Sequence, residues 1–369
     1  MLLKQIIAWD NAHTPVREQQ HRLQKLSQLS SKRRRRVSSK RRRRAPLNFS
    51  KMAAVRHVTK ISSLSPKEIK GVLQLALNMK ARPADYWDAL KRKTLLMFFE
   101  KPSLRTRVSL EAGMTSLGGH GIAYMTGDSP IGEKESYEDT GAVLSRMCDA
   151  VTARVKSREQ INGLAENATI PIINALDDYA HPMQMLADLQ TVVEHKCGGD
   201  VEALGGKSLA FVGDCQNNVT YDLMRSGAMM GMDVRIAGPT GFEWEIEPDV
   251  LAECAALSKE HGGTVNVCKT AEEAVSGADV VYADSWMSYG IKGAERNRRM
   301  KSLMPFQVTP ELMTKAAPSA SFMNCLPAVR GEEQLASVID GPQSIVFDQA
   351  ENRLHAQKAL LVKLLVEGL

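Results

Sequence analysis

The chain has 369 residues, 43% hydrophobic and 24% charged, a length and balance suited to two ordinary globular domains, with no run near the roughly 20 apolar residues that cross a bilayer. Its net charge of +6 is uneven, because residues 1–51 hold 15 Lys and Arg against Asp10 and Glu18, while the remainder holds 33 bases against 40 acids. A body with that negative excess has nothing with which to grip a polyanion, which disfavours nucleic-acid binding outside the leader.

The leader repeats SSKRRRR at Ser30–Arg36 and Ser38–Arg44, joined by Val37. Like-charge blocks repel, so the segment is expected to be disordered. It reads as a nuclear-import or RNA-contacting patch, as an organelle-targeting leader, or as an upstream extension with translation starting at Met52. From there the pattern changes. Ser65-Pro66 opens an amphipathic helix to about Lys80, with Ser as N-cap and Pro at the first helical position. Thr94–Phe99 (TLLMFF) predicts a buried strand, followed by a helix over about Arg105–Leu117. Apolar segments and helical ones then alternate. Strands are expected at Gly121–Met125, Ala150–Arg154, Ile170–Asn174, Ser208–Val212, Asp233–Ala237, Asp279–Ala283, Ser321–Cys325 and Ser344–Phe347. Helices are expected at Pro182–His195, near Tyr221–Gly231 and over Asn352–Leu365. Strand–helix alternation with near-continuous apolar strands predicts an α/β fold: two domains, each a parallel sheet flanked by helices, joined by interdomain helices. The strand series restarts near Lys207, which places the boundary within 185–205. The six cysteines (148, 197, 215, 254, 268 and 325) form no CxxC pair and no secretory signal is evident. A reducing compartment follows, cytoplasmic, or the mitochondrial matrix if the leader is a transit peptide.

Three constellations carry chemistry. In Phe99-Glu-Lys-Pro-Ser-Leu-Arg-Thr-Arg-Val108 a strand ends, hydroxyls and guanidiniums follow, and a helix begins. Unpaired backbone N–H groups and a positive dipole end beside Arg105 suit phosphate oxygens, although a capped helix with surface arginines reads the same way. His181-Pro-Met-Gln184, running into Leu186-Ala-Asp-Leu-Gln-Thr191, opens a helix where open α/β sheets bind ligands, or simply caps it. In Asn324-Cys325-Leu326-Pro327 a thiol at a strand end is nucleophilic, amine-contacting or merely buried.

In order and spacing these segments, with Asp348-Gln-Ala-Glu-Asn-Arg353, Ile131-Gly-Glu-Lys-Glu-Ser136, Val212-Gly-Asp214 and Asn217-Asn218, resemble the ornithine carbamoyltransferases from about Lys60 to the C-terminus. Aspartate carbamoyltransferases share the first two motifs, whereas CLP and Asp284-Ser-Trp-Met-Ser288 resemble the ornithine branch. The resemblance implies a carbamoyl phosphate-binding domain over 52–190, an ornithine-binding domain over 191–350, and a last helix, 351–369, packing back on the first. It implies that Ser103, the Leu104 backbone, Arg105 and Thr106 grip the phosphate. Arg154, His181 and Gln184 match the carbamoyl-binding positions, and Arg353 returns to assist. Asn218, Ser288 and Tyr289 fall toward ornithine, with Asp284 toward its α-amino group. Cys325 and the Leu326 carbonyl lie where amine and carbamoyl carbon meet. Arg154, His181 and Cys325 carry the catalytic roles. Carbamoyl phosphate already has a good leaving group, so neither metal, cofactor nor covalent intermediate is demanded. The proton leaving the amine goes to Cys325, near Asp284, or to the departing phosphate. The family is trimeric, its loop around Ser129–Lys134 reaching the neighbouring site.

Three positions depart from the pattern: Asn324 for the His of HCLP, Pro130 for a Gln, and Tyr289 for a Met. They bear on the acceptor more than on the reaction. Putrescine or an N-acylated ornithine is the rival acceptor, against which Asp284 argues for a free α-amino group. A non-enzymatic metabolite- or RNA-binding homologue is the rival class, against which the retained donor-binding positions argue.

Overall fold

The computed structural model describes residues 55–125, 131–132, 134–287, 292–367 and 369. The leader and the expectations resting on it lie outside these, as do Ser129, Pro130, Ser288 and Tyr289.

Strand β1 (Thr94–Phe99) is the apolar run TLLMFF, buried from Leu95 onward. Only a strand flanked on both sides and covered on both faces suits such a sequence. It pairs in parallel with β2 (His120–Met125) and β3 (Ala150–Arg154), and β3 pairs with β4 (Ile172–Leu176), giving the order β2-β1-β3-β4. The second sheet repeats the plan around β5 (Ser208–Val212), buried throughout. With β6 (Asp233–Ala237), β7 (Thr264–Val267), β8 (Val280–Ala283) and β9 (Ser321–Asn324) it is ordered β7-β6-β5-β8-β9, again all parallel. Two parallel sheets wrapped by helices are what the alternation predicted.

Strand β4 starts two residues later than expected, because Pro171 has no N–H and supplies only its carbonyl, which accepts from Val151 at 2.9 Å. Ser344–Phe347 is not a strand. Ser344 makes one bridge to Phe322, and the last helix begins at Val346, well before Asn352, so the short apolar run is a buried helix entry. Strand β7 went unpredicted, since TVNV on the sheet edge keeps mostly exposed side chains and offers no apolar run.

The helix Pro182–Lys196 runs unbroken across residues 190 and 191, and every residue from Pro182 to Val193 is buried. It lies against the last helix, Val346–Val362, which also packs on Pro66–Ala81 and Leu104–Ser116. Met97, Met183, Leu186, Phe211, Tyr282, Met323 and Leu360 belong to one apolar cluster, so the core passes from sheet to sheet through these two helices. Each such side chain contributes about 1.5–3 kcal/mol by leaving water. No helix among the described residues is long and apolar enough to cross a membrane.

Candidate active site

In each sheet the chain leaves the central strand in opposite directions, making a switch point between β1 and β3 and another between β5 and β8. Ligands of open α/β sheets bind beyond the carboxyl ends of strands at such points. Here both open into one cavity of about 360 Å³. Its lining takes Ser103, Leu104, Arg105 and Thr106 from the turn after β1, Arg154 from the end of β3, and His181 and Gln184 from beyond β4. From the second sheet come Asn218 after β5, Asp284 after β8, and Cys325 and Leu326 after β9, while Arg353 reaches in from the last helix. Every described residue singled out for a site role in the sequence is therefore brought together. A larger cavity of about 540 Å³, lined by Pro310, Met313, Ser337 and Gln343 among others, has no ionisable lining residue and no chemistry to offer.

Three helices begin on this cavity: Leu104–Ser116, Pro182–Lys196 and Asn218–Met229. Their unpaired N–H groups add positive potential to the guanidiniums of Arg105, Arg154 and Arg353. Ser103 caps the first, its Oγ accepting from Thr106 N at 3.4 Å. Arg353 is buried and held from three directions. It donates through Nη1 to Gln184 Oε1 at 2.6 Å and through Nη2 to Thr106 Oγ1 at 3.1 Å. With the Gln357 carboxamide turned so that its oxygen faces Arg353, the orientation that satisfies both its ends, that oxygen accepts from Nε and Nη2 at 2.9 Å each. Burial, then Arg154 and Arg105, pull its pKa down to about 10, so it stays charged at neutral pH.

His181 is buried, and its Nδ1 has no hydrogen-bond partner among the described residues. Burial, followed by the charges of Arg353, Arg154 and Arg105, holds its pKa well below the ordinary imidazole value, so the ring is neutral. Its backbone N–H donates to Asp222 Oδ2 at 2.9 Å, and Asp222 pairs with Arg225 at 3.0 Å, both side chains fully buried. Asn218 donates to the Asp177 carbonyl, so part of its amide already serves the contact between the halves.

On the other wall Cys325 Sγ donates to Asp284 Oδ1 at 3.0 Å, and Ser285 N donates to the same oxygen at 2.7 Å. Burial, then Asp284, pushes the thiol well above its ordinary range, and burial raises Asp284 too. Cys325 is thus a thiol rather than a thiolate. A protonated thiol is a poor acceptor for the amine's proton, which favours the departing phosphate in that role. Asn324, the first departure from the pattern, does not line the cavity. Its backbone N–H donates to Gln349 Oε1 at 2.9 Å, its Nδ2 to Gln334 Oε1 at 3.1 Å, and its Oδ1 accepts from Leu326 N at 2.8 Å. The Leu326 turn, at φ +58°, is fixed by these bonds.

Sequence reasoning missed the residues beneath the lining. Glu333, buried, accepts from Trp286 N at 3.2 Å and Val329 N at 2.9 Å, tying the segment after β8 to the turn after β9. Arg299 donates to Asp214 at 2.5 Å and to the Trp286 carbonyl at 3.4 Å. Gly213, at φ +128°, leaves room for Trp286, whose Nε1 would lie 2.9 Å from a Cβ there. Nothing in the local sequence marks Glu333 or Arg299; Asp214 stood in a quoted motif without a partner.

Such a cleft, cationic on one wall and carboxylate-bearing on the other, suits a transferase that joins an anionic phosphorylated donor to an amine. Family comparison bears this out, matching residues 56–194 to the carbamoyl-P binding domain and residues 205–364 to the Asp/Orn binding domain of aspartate/ornithine carbamoyltransferase. The chain belongs to the aspartate/ornithine carbamoyltransferase family. Among its relatives, the ornithine carbamoyltransferase of Halalkalibacterium halodurans is 44% identical over 84% of this chain and 95% of its own. That of Corynebacterium diphtheriae is 45% identical over 86% and 98%. The crystal structure of ornithine transcarbamoylase from Giardia lamblia superimposes with a TM-score of 0.79 at 43% identity, covering 86% of this chain and all of that one.

Proposed function

We propose that this chain transfers the carbamoyl group of carbamoyl phosphate to the side-chain amine of L-ornithine, giving L-citrulline and phosphate, a step of arginine biosynthesis. The observation that carries the reading is the meeting of Arg105, Arg154, His181 and Arg353 with Asp284 and Cys325 around one cavity. The ornithine-named relatives spanning most of the chain favour this acceptor over aspartate.

Ser103, the Leu104 backbone, Arg105 and Thr106 take the phosphate, supported by the helix N-terminus beneath them. Arg154, Thr106 and neutral His181 donate to the carbamoyl oxygen, stabilising the charge that grows there. Gln184 and Arg353 complete the donor side. Asp284 takes the α-amino group, with Asn218, Ser288 and Tyr289 around the rest of ornithine. The neutral amine attacks the carbamoyl carbon beside Cys325 and the Leu326 carbonyl. A C–N bond forms, the C–O bond to phosphate breaks, and the amine's proton goes to the departing phosphate, since Cys325 already holds one. The division of labour follows the two sheets, with donor groups coming chiefly from residues before 191 and acceptor groups from those after.

A homotrimer with shared sites is the assembly that fits. Leu104 and Val108, a turn apart beside the cavity, are 75% and 55% exposed, and Ile122 on edge strand β2 is exposed as well. Apolar groups in that position want a neighbouring subunit. Bacterial relatives and scattered free cysteines support a cytoplasmic location; a matrix location would need the leader to direct import. Initial rates with carbamoyl phosphate and ornithine, putrescine, acetylornithine or aspartate test the reading. Ornithine should give the highest kcat/KM, and a preference for any other amine overturns the acceptor assignment.

A further inference from the structure

Behind the donor wall lies a sealed polar cluster that the reaction as described does not use. Asp188, fully buried on the helix Pro182–Lys196, accepts through Oδ1 from Gln184 Nε2 at 2.8 Å and from Gln349 Nε2 at 2.7 Å. Its Oδ2 accepts from the Tyr282 hydroxyl at 2.9 Å, and Gln349 Nε2 also donates to that hydroxyl at 3.0 Å. These groups come from the first half, from β8 and from the last helix, and none of Asp188, Tyr282 and Gln349 lines the cavity.

The arrangement leaves Gln184 no choice of orientation. Its nitrogen faces a carboxylate that can only accept, and its oxygen faces the Arg353 guanidinium, which can only donate, at 2.6 Å. Reversing the amide would set oxygen against carboxylate and N–H against guanidinium. The oxygen therefore lies on the side of the cavity-lining Arg353 and the nitrogen on the sealed side. An oxygen presented there accepts from an amino group and has nothing to offer a methyl group.

We propose that Asp188 is a positioning residue for donor recognition, locking the Gln184 carboxamide with its oxygen toward the cavity so that the site selects the amino group of the carbamoyl donor. This rests on the donor assignment above. A site built to bond an N–H rejects the analogue that lacks it. Acetyl phosphate is that analogue, with methyl in place of amino, and inorganic phosphate reports the phosphate grip alone.

The test compares inhibition constants for acetyl phosphate and for inorganic phosphate with the binding of carbamoyl phosphate, in the full-length parent, Asp188→Ala and Asp188→Asn. In Asp188→Ala the preference for carbamoyl over acetyl phosphate should fall about tenfold, the usual consequence of releasing one buried polar contact, while phosphate inhibition stays within twofold. Asp188→Asn keeps an oxygen facing both amides and should recover most of the preference. A second variant covers failure of Asp188→Ala to fold. Asp188→Ser keeps a polar side chain too short to reach Gln184 and should lose the preference to the same degree. An unchanged preference in folded Asp188→Ala or Asp188→Ser, or equal loss of phosphate inhibition, overturns the inference. A parent that does not bind carbamoyl phosphate overturns the donor assignment instead.

Discussion

The two walls of the cleft are organised in opposite ways. On the donor wall Arg353 is braced by neutral groups, Gln184, Thr106 and the Gln357 amide, while the backbone of neutral His181 is held by Asp222. Among the described residues no carboxylate lies within hydrogen-bond reach of Arg353, whose charge is thus ready for phosphate. On the acceptor wall the one carboxylate, Asp284, already holds the Cys325 thiol and the Ser285 N–H, and burial raises its pKa. One wall stores unspent attraction for an anion; the other must exchange a thiol contact for an ammonium. Tight donor binding followed by a weaker, exchangeable acceptor site is the expectation from that difference.

The most damaging single change should be on the donor wall. Arg105→Ala removes a charged partner of the phosphate in a desolvated cleft, and kcat/KM for carbamoyl phosphate should fall on the order of 10²-fold or more with little change in melting temperature. A rate near that of the parent would erase the distinction between the walls. Asp284→Asn should raise KM for ornithine by about 30-fold, leave carbamoyl phosphate binding within twofold, and so separate the two walls kinetically. If both substrates weaken together, the walls act as one. Cys325→Ser should lower kcat by less than about tenfold. Because burial holds the thiol protonated, the rate should rise with pH as ornithine's amine loses its proton, near about 10.4 for an unperturbed alkyl ammonium, and the serine variant should follow the same profile. Loss of an ionisation near 8–9 in the variant would show a thiolate at work. Tyr289→Met, at a position outside the described residues, should lower KM for ornithine about threefold with kcat unchanged. A parent preferring putrescine, reversed by this substitution, would make Tyr289 a specificity switch. Deleting residues 1–51 should change neither wall, and kinetics of a chain begun at Met52 measure it.

What the sequence made legible follows from how each wall is built. Ser103–Thr106 is a contiguous run after an unmistakable strand, so its place at a helix start could be read from residue types, while only the resemblance chose a phosphate grip over an ordinary cap. His181 and Gln184 likewise open a helix whose Pro182 start was visible. Asp284 and Cys325 sit at the ends of separate strands, and only resemblance brought them together; their 3.0 Å contact, and the proton it fixes on sulfur, belong to the fold. The supports were harder still. Asp188 and Gln349 stood inside quoted motifs, yet nothing local says that they face one another across 161 positions. Glu333 looks like any turn carboxylate until Trp286 and Val329 are found on it. Edge strand β7 was invisible because its exposed side chains carry no apolar signal, and Ser344–Phe347 misled because a four-residue apolar run does not distinguish a strand from a helix entry.

The unbroken helix from Pro182 to Lys196 has a consequence for anyone dividing this molecule. Its first twelve residues are buried on all sides, clasped by elements from both halves. Two gene fragments meeting between residues 190 and 191 would therefore each inherit a defect: one an unsheathed rod, the other a trough where the rod should lie. Heat or denaturant should meet the same obstacle and melt both halves in a single transition, because neither can let go of that rod while the other keeps it.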